Sequence, residues 1–197
     1  TMAGLNTPYT TETVVDGTVT SGSGTILVDF DTGEIRQTQT TTTTFEDGSD
    51  VTVTTDIYVP PGSGTMHLCS IVEGMGGDCT QRQSVALRDS NQIVDVRDPV
   101  TGQTNITNVT EFRDEGLVDT AAGEMRRYVV DDPAQLGDTT DGVTFEAVEV
   151  AVLVNPDTGL VYGMEYEAAI TSDGVTTSML MTMTYDYGPV DISPPDW

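Results

Sequence analysis

The chain contains no lysine and only one histidine, His67. Seven arginines stand against 32 carboxylates, for a net charge of −25. A field of that sign repels phosphate, so no nucleic acid is expected as a partner, nor an anionic membrane surface. A Ser–His or Cys–His dyad would have to be built on His67, which lies two residues from Cys69. There are only two cysteines, Cys69 and Cys79. Such a pair cannot by itself build a zinc site. No apolar run approaches the ~20 residues of a membrane-spanning helix. The sequence has no glycine-rich phosphate loop and no EF-hand loop with its closing glutamate. No enzyme activity, cofactor or metal is therefore expected.

What is present is threonine, 34 residues of it, a β-branched type that suits half-exposed sheet surfaces. The apolar fraction, 37%, is low but adequate for a sheet buried on one face. The carboxylates are spread along the chain, which describes a solvated surface and not an acidic tail. A high-salt or acidic envelope lineage is the expectation. Cys69 and Cys79 flank nine residues that include Gly74, Gly76 and Gly77, a spacing that closes easily into a disulfide. Such a bond implies an oxidising, extracytoplasmic compartment.

The 197 residues read as a single β domain, with flexible ends at 1–10 and 193–197. The terminal Pro194–Pro195 pair suggests an ectodomain cut ahead of a linker, anchored by a segment outside this chain. Turn signals recur at Asp16–Gly17, Asp31–Gly33, Asp47–Gly48, Pro99–Gly102, Asp141–Gly142, Pro156–Gly159 and Asp173–Gly174. Between them the sequence alternates with period two. Val51, Val53, Ile57 and Val59 alternate with threonine and aspartate. Val148, Val150, Val152 and Val154 form a second stripe. The spacing predicts one meander over about 12–59 and another over about 143–187. The segment 64–90 reads as irregular, and one helical turn is predicted at Asp132–Leu136.

Two Asp-Thr-Gly triplets, at Asp31 and Asp157, invite comparison with the paired carboxylates of a two-lobed aspartic protease. They are followed by Glu34 and Leu160 where that family has Ser or Thr, and each falls at a predicted turn. They are read as turns. Asp29, Asp31 and Glu34, and separately Asp95 and Asp98, are candidate calcium carboxylates of low specificity. Asn105 and Asn108 open two glycosylation sequons.

The feature most suggestive of binding is a methionine and tyrosine stripe. Tyr162, Met164 and Tyr166 alternate on one predicted strand, and Met179, Met181, Met183 and Tyr185 on the next. Methionine is flexible and polarizable, and fits varied apolar shapes. The stripe is either an apolar ligand-binding face or ordinary core.

The C-terminal part carries a resemblance. Its residues are Asn108–Gly116, Ala122–Tyr128, Glu149–Val161 and the closing Tyr185-Asp186-Tyr187-Gly188-Pro189-Val190-Asp191-Ile192. Over about 105–193 this order resembles the LppX/LprG-type envelope lipoproteins of the LolA-like lipid-carrier superfamily. The N-terminal half, Thr10 to Val59 with Arg97–Gly102, is more weakly similar to an actinobacterial PorA-like envelope family. The resemblance implies a half-barrel, a single curved antiparallel sheet around an apolar cavity, and a non-enzymatic carrier of lipids or lipidated molecules. The chain departs from those carriers in lacking their first amphipathic helix and the cysteine that bears the lipid anchor. The expected fold is therefore mainly β with few or no helices. The expected function is binding of a lipid or other apolar ligand on the concave face. The alternative is a structural or interaction module of the cell surface, with an envelope protein as partner.

Overall fold

The computed structural model describes residues 2–83, 111–132, 143–172 and 174–195. The sequons at Asn105 and Asn108, the Asp95/Asp98 pair, the helical turn predicted at Asp132–Leu136 from Pro133 on, and the turns at 99–102 and 141–142 lie outside the described residues. Among the described residues there is no helix.

Eleven strands make one antiparallel sheet. They are β1 (Gly4–Val15), β2 (Thr18–Asp29), β3 (Ile35–Thr44), β4 (Asp50–Val59), β5 (Thr65–Val72), β6 (Gly76–Gln83), β7 (Arg113–Thr120), β8 (Gly123–Val130), β9 (Val143–Val154), β10 (Val161–Ser172) and β11 (Val175–Thr184). Their order is β6-β5-β4-β3-β2-β1-β11-β10-β9-β8-β7. The sheet is curved and does not close into a barrel, since β6 and β7 stand at opposite edges. Two meanders, β1 to β6 and β7 to β11, are joined where β1 pairs with β11 over Tyr9/Met183 to Val15/Thr177. The run Thr40–Thr44 lies within β3, so it is strand and not linker.

The expected meander of β9, β10 and β11 is present. Two expectations are corrected. The segment read as irregular around the cysteines is the β5–β6 hairpin, paired without a break from Thr65/Gln83 to Val72/Gly76. Its glycines and polar residues carry no period-two apolar pattern, and for that reason the strand was invisible in the sequence. The N-terminal segment expected to be flexible enters β1 at Gly4, and Leu5 is fully buried. At the other end, the Ser193 carbonyl accepts a hydrogen bond from Arg36 Nη1 at 2.7 Å, so the tail is tied down as far as that residue.

Register sorts the side chains onto two faces. One face, called inner here, carries Leu5, Tyr9, Ile26, Val28, Val150, Met164, Met183 and Tyr185, which pack as the main hydrophobic cluster. A smaller cluster of Ile57, Val59 and Met66 extends it across β4 and β5, bridged by Ile35. The outer face of β1 to β4 carries the other half of the alternation, where Thr40 meets Thr54 and Thr42 meets Thr52 directly across the β3–β4 pair. Gly24 matters to the inner face. A Cβ there would collide with the Tyr9 ring, which lies across it, and Tyr9 Oη accepts from Gln37 Nε2 one strand further on.

Arginine is used within the sheet. Arg36 grips Asp56 through Nε and Nη2, at 3.2 and 2.8 Å. Arg113 reaches Glu115 and Asp131, and Arg126 pairs with Asp114. Arg127 gathers Glu115, Glu149 and, at 3.6 Å, Glu165. These pairs relieve repulsion where strands bring carboxylates together, as at Glu149 opposite Glu167.

Candidate functional site

The stripe predicted from sequence is assembled by strand register. Met164 stands opposite Met183, Tyr166 opposite Met181, and Ala168 opposite Met179 on the β10–β11 pair. β9 adds Val152, Val150 and Val148 opposite Met164, Tyr166 and Ala168. Tyr185 follows β11, and its N–H donates to the Tyr162 carbonyl at 2.7 Å, which continues the ladder by one rung.

Burial divides this stripe lengthwise. At the end nearest the β9–β10 turn, Met164, Met183 and Tyr185 are 1%, 3% and 3% exposed. They are core, and Tyr185 Oη is directed at Met183 Sδ, 3.7 Å away. Burial pushes the Tyr185 phenol far above its ordinary range, so the ring stays neutral at any physiological pH. Tyr166 and Met181 are half-buried and pack against that core. Burial raises the Tyr166 phenol too. Met179 is 37% exposed, close to the β10–β11 turn. Exposure thus rises along β11 from Met183 to Met179, while Ala168 and Val148 on the same rung as Met179 stay buried, at 2% and 6% exposed.

One polar group interrupts it. Thr7 is 1% exposed and lies between Leu5 and Tyr9 on the inner face, opposite Ile26. Its Oγ1 has no hydrogen-bond partner among the described residues. Nothing in the sequence marked this residue, because one more threonine in a β1 rich in them carries no signal.

The Asp-Thr-Gly triplets prove to be two copies of one turn. Asp29 Oδ1 accepts from the N–H groups of Asp31 and Thr32, at 2.8 and 3.1 Å. Asn155 Oδ1 does the same for Asp157 and Thr158, at 2.9 and 3.1 Å. Gly33 and Gly159 close the turns at φ of 73° and 71°. The side chain that organises each turn therefore sits two residues before the triplet. The hydrogen bond from Thr32 N–H is the main cause that holds the Asp29 carboxyl below its usual range, with Asp31 adding to it. The two turns lie at opposite ends of six adjacent strands, β3 to β9, so their carboxylates cannot share a proton. Among the described residues no three carboxylate, histidine or cysteine groups converge as a metal site would require. His67 stacks obliquely on Tyr58, at 6.4 Å between centroids. Tyr58 donates to Glu34 Oε1 at 2.6 Å, and that bond pushes its phenol up to about 12.

Cys69 and Cys79 are joined as a disulfide between directly opposed residues of β5 and β6, with Cα atoms 4.1 Å apart. Open clefts of about 440, 510 and 430 Å³ lie along the sheet. Thr10, Ser23, Thr38 and Thr40 line the first, while Glu12, Glu149, Glu167 and Leu180 line the second. Met179, Ala168 and Val148 line the second as well, so it reaches the β11 end of the methionine stripe.

No protein-family model matches the chain, and no curated protein matches it. Among solved structures it is similar to the lipoprotein LppX of Mycobacterium tuberculosis, with a TM-score of 0.49 and 14% identity over 98% of this chain and 90% of that one. It is also similar to a β-barrel-like protein of the domain of unknown function DUF1849 from Brucella abortus, with a TM-score of 0.37 and 7% identity over 94% of this chain and 98% of that one. The fold of this chain rests on its own strand register.

Proposed function

We propose that the chain is a non-enzymatic, extracytoplasmic protein that binds a lipid or other apolar ligand on the inner face of its curved sheet. The observation that carries this reading is the graded stripe. Met164/Met183 is buried, Tyr166/Met181 half-buried, and at the third rung Met179 is 37% exposed beside a buried Ala168, all on one face of adjacent strands. An apolar ligand laid against the open rungs would gain affinity from contact area, with methionine adapting its shape to the chain it meets. The Cys69–Cys79 disulfide supports the compartment, since such bonds persist where the surroundings are oxidising.

A second reading is favoured by the other end of the stripe. Met164, Met183 and Tyr185 fill their space with one another, as an ordinary core does. On that reading the chain is a structural or interaction module of the cell surface, and Met179 and Met181 meet another protein.

Native mass spectrometry of the protein incubated with a mixed phospholipid and fatty-acid extract separates the two. A carrier retains lipid through desalting, and Met181→Asp with Met179→Asp abolishes retention while the circular dichroism spectrum is unchanged. Met183 is unsuitable for this test, because a carboxylate at a residue 3% exposed would report on folding. Clean apo-protein under conditions where a known lipid carrier is loaded would refute the ligand reading.

A further inference from the structure

Among the described residues the sheet ends at β6 and at β7, and the two edges are built differently. At the β7 edge the pairing is broken by a bulge between Asp114 and Gly116, where Gly116 takes φ of 86°. The same strand carries Arg113, Asp114, Glu115 and Asp119, three of them held in ion pairs. Bulges and charges are the usual devices that keep an edge from pairing with another chain. The β6 edge carries charge too, at Asp78 and Arg82, but it has no bulge. The β5–β6 register is unbroken over eight residues, and Gly76-Gly77-Asp78-Cys79-Thr80-Gln81-Arg82-Gln83 contains no proline. The disulfide ties this strand to β5 at Cys79.

The direction of its free backbone groups follows from one bond. Just after β5, Glu73 N–H donates to the Thr52 carbonyl, one step beyond the β4–β5 register, at 2.9 Å, so odd residues of β5 turn their backbone toward β4 and even ones toward β6. The even residues of β5 are paired with Gly76, Asp78, Thr80 and Arg82. Gly77, Cys79 and Gln81 therefore turn their N–H and C=O groups to the free edge, where among the described residues no strand pairs with them.

We infer that β6 is a docking edge for a second copy of this chain, joined antiparallel about Thr80 so that two sheets become one. An isologous two-fold contact needs a strand complementary to itself. Pairing centred on Thr80 sets Thr80 opposite Thr80, and Asp78 of one copy at the register position of Arg82 of the other, residues of opposite formal charge. It also sets the outward-turned Cys79 against Gln81, which is what an antiparallel ladder requires. The inner faces of both copies then lie on the same side. The net charge of −25 on each copy opposes the contact at low ionic strength, so association strengthens when salt screens it.

Sedimentation velocity in high and low salt tests this on the whole chain. The expected result at high salt is a species of twice the 21.0 kDa chain mass, declining as salt is removed. Gln81→Pro removes an outward N–H without touching the β5 ladder, and weakens dimerisation at least ~10-fold. Asp78→Arg weakens it as well, and Asp78→Arg combined with Arg82→Asp restores it. The charge-reversal pair keeps the test valid should the proline variant fold poorly. A monomer at all salt concentrations would overturn the inference, as would a dimer indifferent to Gln81→Pro or a double reversal that restores nothing.

Discussion

At Thr7 the physics of one residue gives a signed expectation. A buried hydroxyl without a partner forfeits its hydration and gains nothing in return, at about 1–3 kcal/mol. Valine has nearly the same shape and no oxygen. Thr7→Val is therefore expected to stabilise the protein by about 1 kcal/mol in urea unfolding. A loss of stability would mean that Oγ1 has a partner in solution. Residue-scale chemistry also explains what the sequence concealed. The Asp-Thr-Gly triplets were legible as turns from composition. The residues that hold them, Asp29 and Asn155, were not singled out for that role, because the bond runs from a side chain to backbone groups two and three residues on.

Among elements, the long alternating strands were legible because their apolar period is two and one face is buried. β4, β9, β10 and β11 all announced themselves in this way. The methionine and tyrosine stripe was legible as one face for the same reason, since register follows alternation once a hairpin is set. What alternation could not give was depth. That Met183 is core while Met179 is open depends on where each lies along the curved strand, which sequence spacing does not encode. The β5–β6 hairpin was missed because its second strand owes its place to a disulfide and a neighbour rather than to an apolar face. That bond closes a loop with a sequence separation of 10 and is expected to contribute about 2–3 kcal/mol. Reduction should first accelerate hydrogen exchange in β6, whose other edge has no strand partner among the described residues, and only then lower global stability. Uniform destabilisation with no β6 signature would contradict this account.

For the whole molecule, charge governs stability through two opposed terms. Carboxylate repulsion at −25 is relieved as pH falls toward the isoelectric region near 4.1. Against this, Asp29, Asp47 and Asp114 have carboxyls held below their usual range, by backbone N–H groups at Asp29, by Ser49 at Asp47 and by Arg126 at Asp114. A lowered native value means that stability is fully present above the unfolded-state value, about 3.9 for aspartate, and is lost as pH drops through the native one. At low salt the melting temperature is expected to rise from pH 7.5 to about 5, then fall below about 4. High salt should raise the pH 7.5 value and flatten the rise. A melting temperature at pH 7.5 that ignores salt would show that repulsion is not a significant term.

The pairing of the first strand with the last has a kinetic consequence. Every other rung of the sheet joins strands that follow one another in the chain, so each ribbon can zip locally as soon as its hairpins emerge. β1 alone must wait for β11, 162 to 174 residues later by register, with its inward apolar residues and a full row of backbone groups unclaimed. During synthesis that seam is the last to form and the most exposed to capture by a neighbouring chain. A circular permutant that links residue 197 to residue 1 and opens the β3–β4 turn would bring the two seam strands together early, and should shorten that vulnerable interval.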